Sequence, residues 1–95
     1  MSNLRIDFDK KLLNEYTDQQ IDRILNVAAP VLVSEAKNNA LYESGKLRNS
    51  ITGEVINGNL KIEANVFYAV YVEYLYQPFL RPLVNKFYDV VKKVA

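Results

Sequence analysis

The sequence predicts an α+β fold in which a long kinked helix and a C-terminal helix pack on a small, mainly antiparallel sheet with a central hairpin. Three patterns carry this expectation: a helical apolar stripe behind a capping box at Thr17, an Asn57-Gly58 pair between two alternating runs, and a second helical stripe behind Pro82.

Taken in order, Leu4, Ile6 and Phe8 alternate with Arg5, Asp7 and Asp9, the two-residue period of an edge strand with one buried face. Residues 10–16 read either as a helical turn carrying Leu12 and Leu13 inward or as a plain connection. At Thr17-Asp18-Gln19-Gln20 the Thr17 hydroxyl can accept from the Gln20 amide while Gln20 reaches back, so a helix starts there. Ile21, Ile24, Leu25, Ala28, Val31, Leu32, Glu35, Ala36 and Ala40 then trace one stripe, interrupted chemically only by Glu35. Run to about Ala40, this helix is roughly 36 Å long at 1.5 Å per residue. Pro30 removes one of its hydrogen bonds and should kink it, and two shorter segments also fit.

Ser44 and Gly45 mark a break. A hairpin over residues 51–66 follows, with Ile51, Gly53 and Val55 alternating on one strand and Leu60, Ile62, Ala64 and Val66 on the other, one face packed on the helix. Tyr68 to Tyr76 carries four of the seven tyrosines, with Val70 and Val72 among them, and its local structure is open. Pro82 suits a helix's first turn; Leu83, Val84, Phe87, Tyr88, Val91 and Val94 form the last stripe, and Lys92 and Lys93 favour its C-terminal end.

Composition narrows the function. At 95 residues the chain is expected to be a single domain, residues 1–95, with a small stability margin, so trimming either end should cost stability. Twelve Lys and Arg against eleven Asp and Glu leave a net charge of +1, which provides no global field for DNA or an anionic membrane. With no cysteine and no histidine, disulfides, thiol nucleophiles, thiolate metal sites and imidazole catalysis are excluded. No window reaches the ~20 apolar residues that span a bilayer, and the N-terminus does not read as a secretory leader, so synthesis and assembly in the cytoplasm are expected. Glu35, Glu43, Glu54, Glu63 and Glu73 are scattered over surface-type positions, without metal-ligand spacing or a phosphate loop. The expectation is therefore no enzyme, and no catalytic, metal-binding or cofactor-binding residue.

Three blocks remain: AKNNALYESGKLRNSI from Ala36 to Ile51, FYAVYVEY from Phe67 to Tyr74, and PFLRPL from Pro78 to Leu83. In this order and spacing the chain resembles the head-tail joining and tail-completion proteins of long-tailed phages, over residues 30–95. That family's pattern is an alanine-lysine helix end, an acidic-Thr/Ser-Gly-basic-Leu-Arg-x-Ser turn, a Tyr-Ala-x-Tyr-Val-Glu segment and a Pro-Phe-x-x-Pro helix start. Two departures are visible: Leu41 stands where the family usually has proline, and Leu75, Tyr76 and Gln77 replace a longer loop with a Gly-Thr pair. Any contact the family makes through that loop is open here.

The resemblance implies a structural protein of a phage or prophage virion, in the tail or neck. It would act as a ring of subunits, hexameric when assembled, that completes the head-proximal end of the tail and contacts the tail tube protein on one side and the head connector proteins on the other. The motif and candidate interface residues are Lys37, Ser44, Gly45, Lys46, Leu47, Arg48, Ser50, Tyr68, Tyr71, Glu73, Tyr74, Pro78, Phe79, Arg81 and Pro82.

Each block also has a reading of its own. Gly45 can take positive φ and Ser44 can cap the turn holding Lys46, Leu47 and Arg48, so the bland role of this block is to reverse the chain into the hairpin. Its functional role is to present Lys46 and Arg48, with Lys37, to an acidic partner or to DNA passing non-specifically through a channel. Tyr68 and Val72 favour core packing, whereas Tyr71, Glu73 and Tyr74 suit a patch between subunits, with Glu73 paired to Arg48 or Arg81 of its own or a neighbouring chain; the contacts between subunits are expected on the hairpin and on residues 71–77. Phe79 and Leu80 anchor the last helix. The rival class is a small DNA-binding or regulatory module, which needs a basic recognition helix that neither stripe displays.

Overall fold

The computed structural model describes residues 4–40 and 45–94. Strand β1 (Leu4–Asp9) leads through a 3-10 turn (Lys10–Leu13) into helix α1 (Asp18–Asn39). The short helix α2 (Lys46–Asn49), the strands β2 (Ile51–Ile56) and β3 (Asn59–Ala64), a helical turn α3 (Ala69–Tyr71) continuing into a π turn (Val72–Tyr76), and helix α4 (Leu83–Val94) complete the order.

The sheet is antiparallel with order β1-β3-β2. Its register gives each face a chemical identity. Leu4, Ile6 and Phe8 lie beside Ala64, Ile62 and Leu60, which in turn lie beside Ile51, Gly53 and Val55, so one face is apolar across all three strands. The opposite face carries Arg5, Asp7 and Asp9, then Glu63, Lys61 and Asn59, then Thr52, Glu54 and Ile56. Lys61 and Glu63 pair there at 2.9 Å, and Asp7 accepts from Arg5 at 3.0 Å and from Asn59 at 3.1 Å. Ile56 is the one apolar side chain in those rows.

The predicted hairpin forms as expected. Asn57 and Gly58 have φ of 51° and 76°, the two positive values that a two-residue turn of primed type requires. That turn closes one end of the sheet, where the Lys10 amide donates to the Gly58 carbonyl at 2.8 Å. The opposite end, at Leu4, Ile51 and Ala64, is where the remaining elements gather.

Helix α1 starts with the capping box read from the sequence: the Gln20 amide donates to the Thr17 hydroxyl and the Thr17 amide to Gln20 Oε1. It runs unbroken through Pro30, so the two-segment alternative is not taken. Ile21, Ile24, Leu25, Ala28, Leu32 and Ala36 are buried on the sheet, while Val31 and Glu35 are half-buried at its margin. Gly53 is what lets α1 come so close to β2: a Cβ there would stand 2.5 Å from Val33 Cγ2 and 3.0 Å from Ile62 Cδ1.

Helix α4 runs back along α1, with Lys86 facing Glu35 at 4.0 Å and Val90 and Val94 beside Val27 and Val31. Its Phe87 ring stacks on Phe8 of β1, centroids 4.4 Å apart, so both helices share the apolar face of the sheet and one core. Three details differ from the periodicity. In the 3-10 turn only Leu13 points inward; Leu12 is half exposed, because the three-residue repeat cannot place neighbouring side chains on one face. On α4, Val84 and Tyr88 are exposed and Val90 is buried instead, because the helix has neighbours on one side only. Pro82 stands immediately before α4 rather than within its first turn.

Gly53→Ala should lower stability by about 1–3 kcal/mol through overpacking against Val33. Chemical denaturation measures it, and an unchanged midpoint would show that α1 can shift away from β2 at no cost.

Candidate functional site

The three sequence blocks converge on the open end of the sheet. α1 finishes there, α2 enters β2 there, β3 leaves from there and α4 begins there. Polar contacts join the blocks one to the next. Ser50 ends α2, its hydroxyl donating to the Leu47 carbonyl at 2.7 Å and accepting from the Asn65 amide at 3.2 Å. The Asn65 side chain donates to the Ser50 carbonyl at 3.0 Å, which fastens the exit of β3 to the first block. Gly45 takes a φ of 73° at the start of α2, as the sequence predicts, while Ser44 lies outside the described residues.

Beyond Val66 the chain coils into α3 and the π turn, closed by the Gln77 amide donating to the Val72 carbonyl at 2.8 Å. One side of this coil is buried through Ala69, Val72 and Glu73. Glu73 is only 1% exposed, against the sequence expectation of a surface carboxylate. Its Oε1 accepts from the amides of Phe79 at 3.0 Å and Leu80 at 2.8 Å, and its Oε2 from the Arg81 amide at 3.2 Å and from Arg81 Nε at 2.8 Å. Arg81 also donates to the Glu73 carbonyl oxygen at 3.0 Å. Of the partners considered, Arg81 of the same chain is the one used.

Burial by itself pushes the Glu73 carboxyl up, but the amides of Leu80 and Phe79 and the guanidinium and amide of Arg81 outweigh it and hold the group below its ordinary value. The carboxylate thereby satisfies the amides entering α4, and Pro82, next in line, brings no amide needing a partner. Leu47 and Phe79 are fully buried as well. Leu47, Glu73 and Phe79 therefore support the site from beneath and cannot touch a partner while the protein is folded.

The other side of the coil faces outward. Phe67 is 84% exposed, Leu75 is 75% exposed, and Val70, Tyr71, Tyr74 and Tyr76 are each about half exposed. Phe67 packs edge-on against half-buried Tyr68, and Arg81 lies over the Tyr74 ring at 4.8 Å. Sequence reasoning singled out Tyr71 and Tyr74 and placed Leu75 and Tyr76 in the same contact segment, but missed Phe67. The signal was an apolar density with neither a helical nor a strand period, which a buried element would have shown.

Elsewhere, α1, α2 and β2 enclose an open cleft of ≈ 670 Å³, with Pro30 and Val33 on one wall and Ser34, Lys37, Asn38, Arg48 and Thr52 around it. It brings Lys37 and Arg48 together, as their proposed common role requires; Lys46 is exposed on α2 but does not line it. Among the described residues there is no group of three or more His, Cys, Asp or Glu placed to hold a metal ion, and no helix long and apolar enough to cross a membrane.

A two-layer α+β fold whose conspicuous features are a pinned, exposed aromatic surface and a basic cleft has the anatomy of an assembly component. Residues 6–74 match the family model described as "Bacteriophage HK97-gp10, putative tail-component", and the chain belongs to that family of phage tail components. The match takes in β1 from Ile6 and the whole of α1, of which the sequence resemblance had reached only the part from residue 30, and ends before the third block. No curated protein and no solved structure matches the chain significantly.

Because the folded-state value of Glu73 is lowered, its contribution to stability is complete above the ordinary value of 4.5 and is lost as the pH falls from there through the folded-state value. Glu73→Gln should cost about 2–3 kcal/mol at neutral pH, since its amide group turns a donor toward backbone donors. It should also flatten the pH dependence of stability below 4.5. Thermal melts of both proteins from pH 3 to 7 measure this, and parallel curves would mean that Glu73 does not carry the acid sensitivity.

Proposed function

We propose that the protein completes the head-proximal end of a phage or prophage tail and helps join the tail to the head connector, acting as a ring of subunits. The observation that carries this reading is the exposed surface of Phe67, Tyr71, Tyr74, Leu75 and Tyr76, fixed from below by the buried Glu73 carboxylate. Aromatic side chains offer large contact area for few rotatable bonds, and a rigid backbone removes most of the ordering cost of association. Family membership supports the tail as the place of action.

In this reading the aromatic surface and Arg48 serve contacts between subunits, and the remaining partners are the tail tube protein and the head connector proteins. Contacts of this size are individually weak and become strong when a ring repeats them, so subunits stay monomeric until the tail end gathers them. Lys37 and Arg48, with no carboxylate among the described residues that line their shared cleft, suit an acidic partner surface or DNA passing through the ring. The role is one of shape and assembly, without turnover.

Electron microscopy of particles from the source phage or induced prophage carrying a stop codon in this gene tests the role. Filled heads beside detached tails, or tails of abnormal length, are expected; normal infectious particles would refute it and favour the DNA-binding or regulatory alternative. Tyr74→Asp and Arg48→Glu change exposed side chains and should leave thermal stability within about 0.5 kcal/mol of wild type. Both should fail to restore joined particles when supplied in trans, and restoration by both would remove the contact surface from these positions.

A further inference from the structure

A cyclic ring larger than a dimer cannot be closed by one self-complementary patch, because such a patch is consumed in pairs; each subunit must present two different surfaces. The open end of the sheet supplies one. It is aromatic, with Arg81 over the Tyr74 ring, and basic through Lys37 and Arg48, which line the cleft between α1 and α2 at the same end. Two such ends brought face to face would set Lys37 and Arg48 against their own copies, and like charges across a contact disfavour it.

We propose that neighbouring subunits meet head to tail, the aromatic end of one copy seated on the hairpin-turn end of the next. This rests on the ring reading above. At the turn end Leu12 and Ile56 are each 50% exposed, Ile56 being the sole apolar residue of the outward sheet rows. Acidic side chains flank them: Glu15 lies in the loop before α1, and Asp18 and Asp22 line a small notch beside Gly58 together with Lys10 and Ile21. Lys10 and Lys11 moderate this charge without reversing it. The aromatic end therefore meets a surface that offers apolar side chains for Leu75 and Tyr76 and carboxylates for Arg48. Of the other exposed large apolar residues described, Val27 on α1 and Tyr88 on α4 stand on helix faces, and Val84 lies in the first turn of α4.

The chain has no cysteine, so introduced thiols report this contact without background. The test uses tails from phage that carry Leu75→Cys, Ile56→Cys or both, treated with a short bis-maleimide and resolved by denaturing electrophoresis. Leu75 and Ile56 are exposed, and infectivity shows that each variant assembles. The double variant is expected to give a ladder of cross-linked species up to the full ring, and each single variant monomer alone. A dimer from Leu75→Cys alone means that aromatic ends meet each other, and absence of a ladder from the double variant means that the turn end is not the acceptor; either overturns the proposal. A second variant, Leu12→Asp with Ile56→Asp, should abolish assembly as Tyr74→Asp does while melting like wild type, and assembly by it overturns the proposal independently. Lysine cross-linking of wild-type tails separates the two levels. Oligomers there with no thiol ladder leave the ring reading standing and sink the head-to-tail contact, whereas monomers in both remove the ring itself.

Discussion

The Glu73 carboxylate is the point on which the exposed half of this molecule hangs. Taking a carboxylate out of water is costly, and it persists here because four donors converge on its two oxygens, three of them backbone amides fixed by the entry to α4. The arrangement is reciprocal. The amides of Phe79, Leu80 and Arg81 precede a helix and have few other acceptors in reach, so the carboxylate satisfies them while they hold it ionised. Arg81 adds a fifth bond to the Glu73 carbonyl and lies over Tyr74, which extends the same contact to the surface.

Beneath this, the core does ordinary work. An apolar sheet face covered by α1 and α4 is what a chain of this size needs, and the Phe8–Phe87 stack joins the first strand to the last helix. The unusual demand lies at the open end, where chain segments far apart in sequence must be held without a strand or a long helix between them. Two polar junctions meet that demand: Ser50 with Asn65 between the first and second blocks, and Glu73 with the amides before α4 between the second and third. A motif of three separated blocks thus folds into one connected structure, and several of its residues are joints rather than contacts.

Much of the fold was legible because its signals are local. The capping box at Thr17 and the turn at Asn57-Gly58 each specify a conformation within four residues, and both form as the sequence indicates. The stripe on α1 was readable because that helix packs over most of its length. The stripe on α4 was only partly so: with neighbours on one side, Val84 and Tyr88 remain outside although their spacing fits. Arg81 was legible as a partner of Glu73, but the burial of Glu73 was misread because nothing adjacent announces the amides of residues 79–81, six to eight residues on, which reach it only when the π turn doubles the chain back. Asn65 was overlooked for the same reason, its acceptor being fifteen residues earlier, at the end of α2.

The aromatic surface gains its meaning from the contrast between its two sides. A coil that buries Ala69, Val72 and a charged Glu73 yet leaves Phe67, Leu75 and Tyr76 in water has the inside and outside of a folded segment exchanged. Simple hydrophobic collapse would turn the rings inward. The hydrogen bonds to Glu73 oppose that, because rotating the coil to bury the rings would strip the carboxylate and leave three amides without an acceptor. The unfavourable exposure is therefore fixed by a larger penalty for relieving it within the monomer, and it can be relieved only by another surface. That is the energetic condition that the proposed assembly role requires.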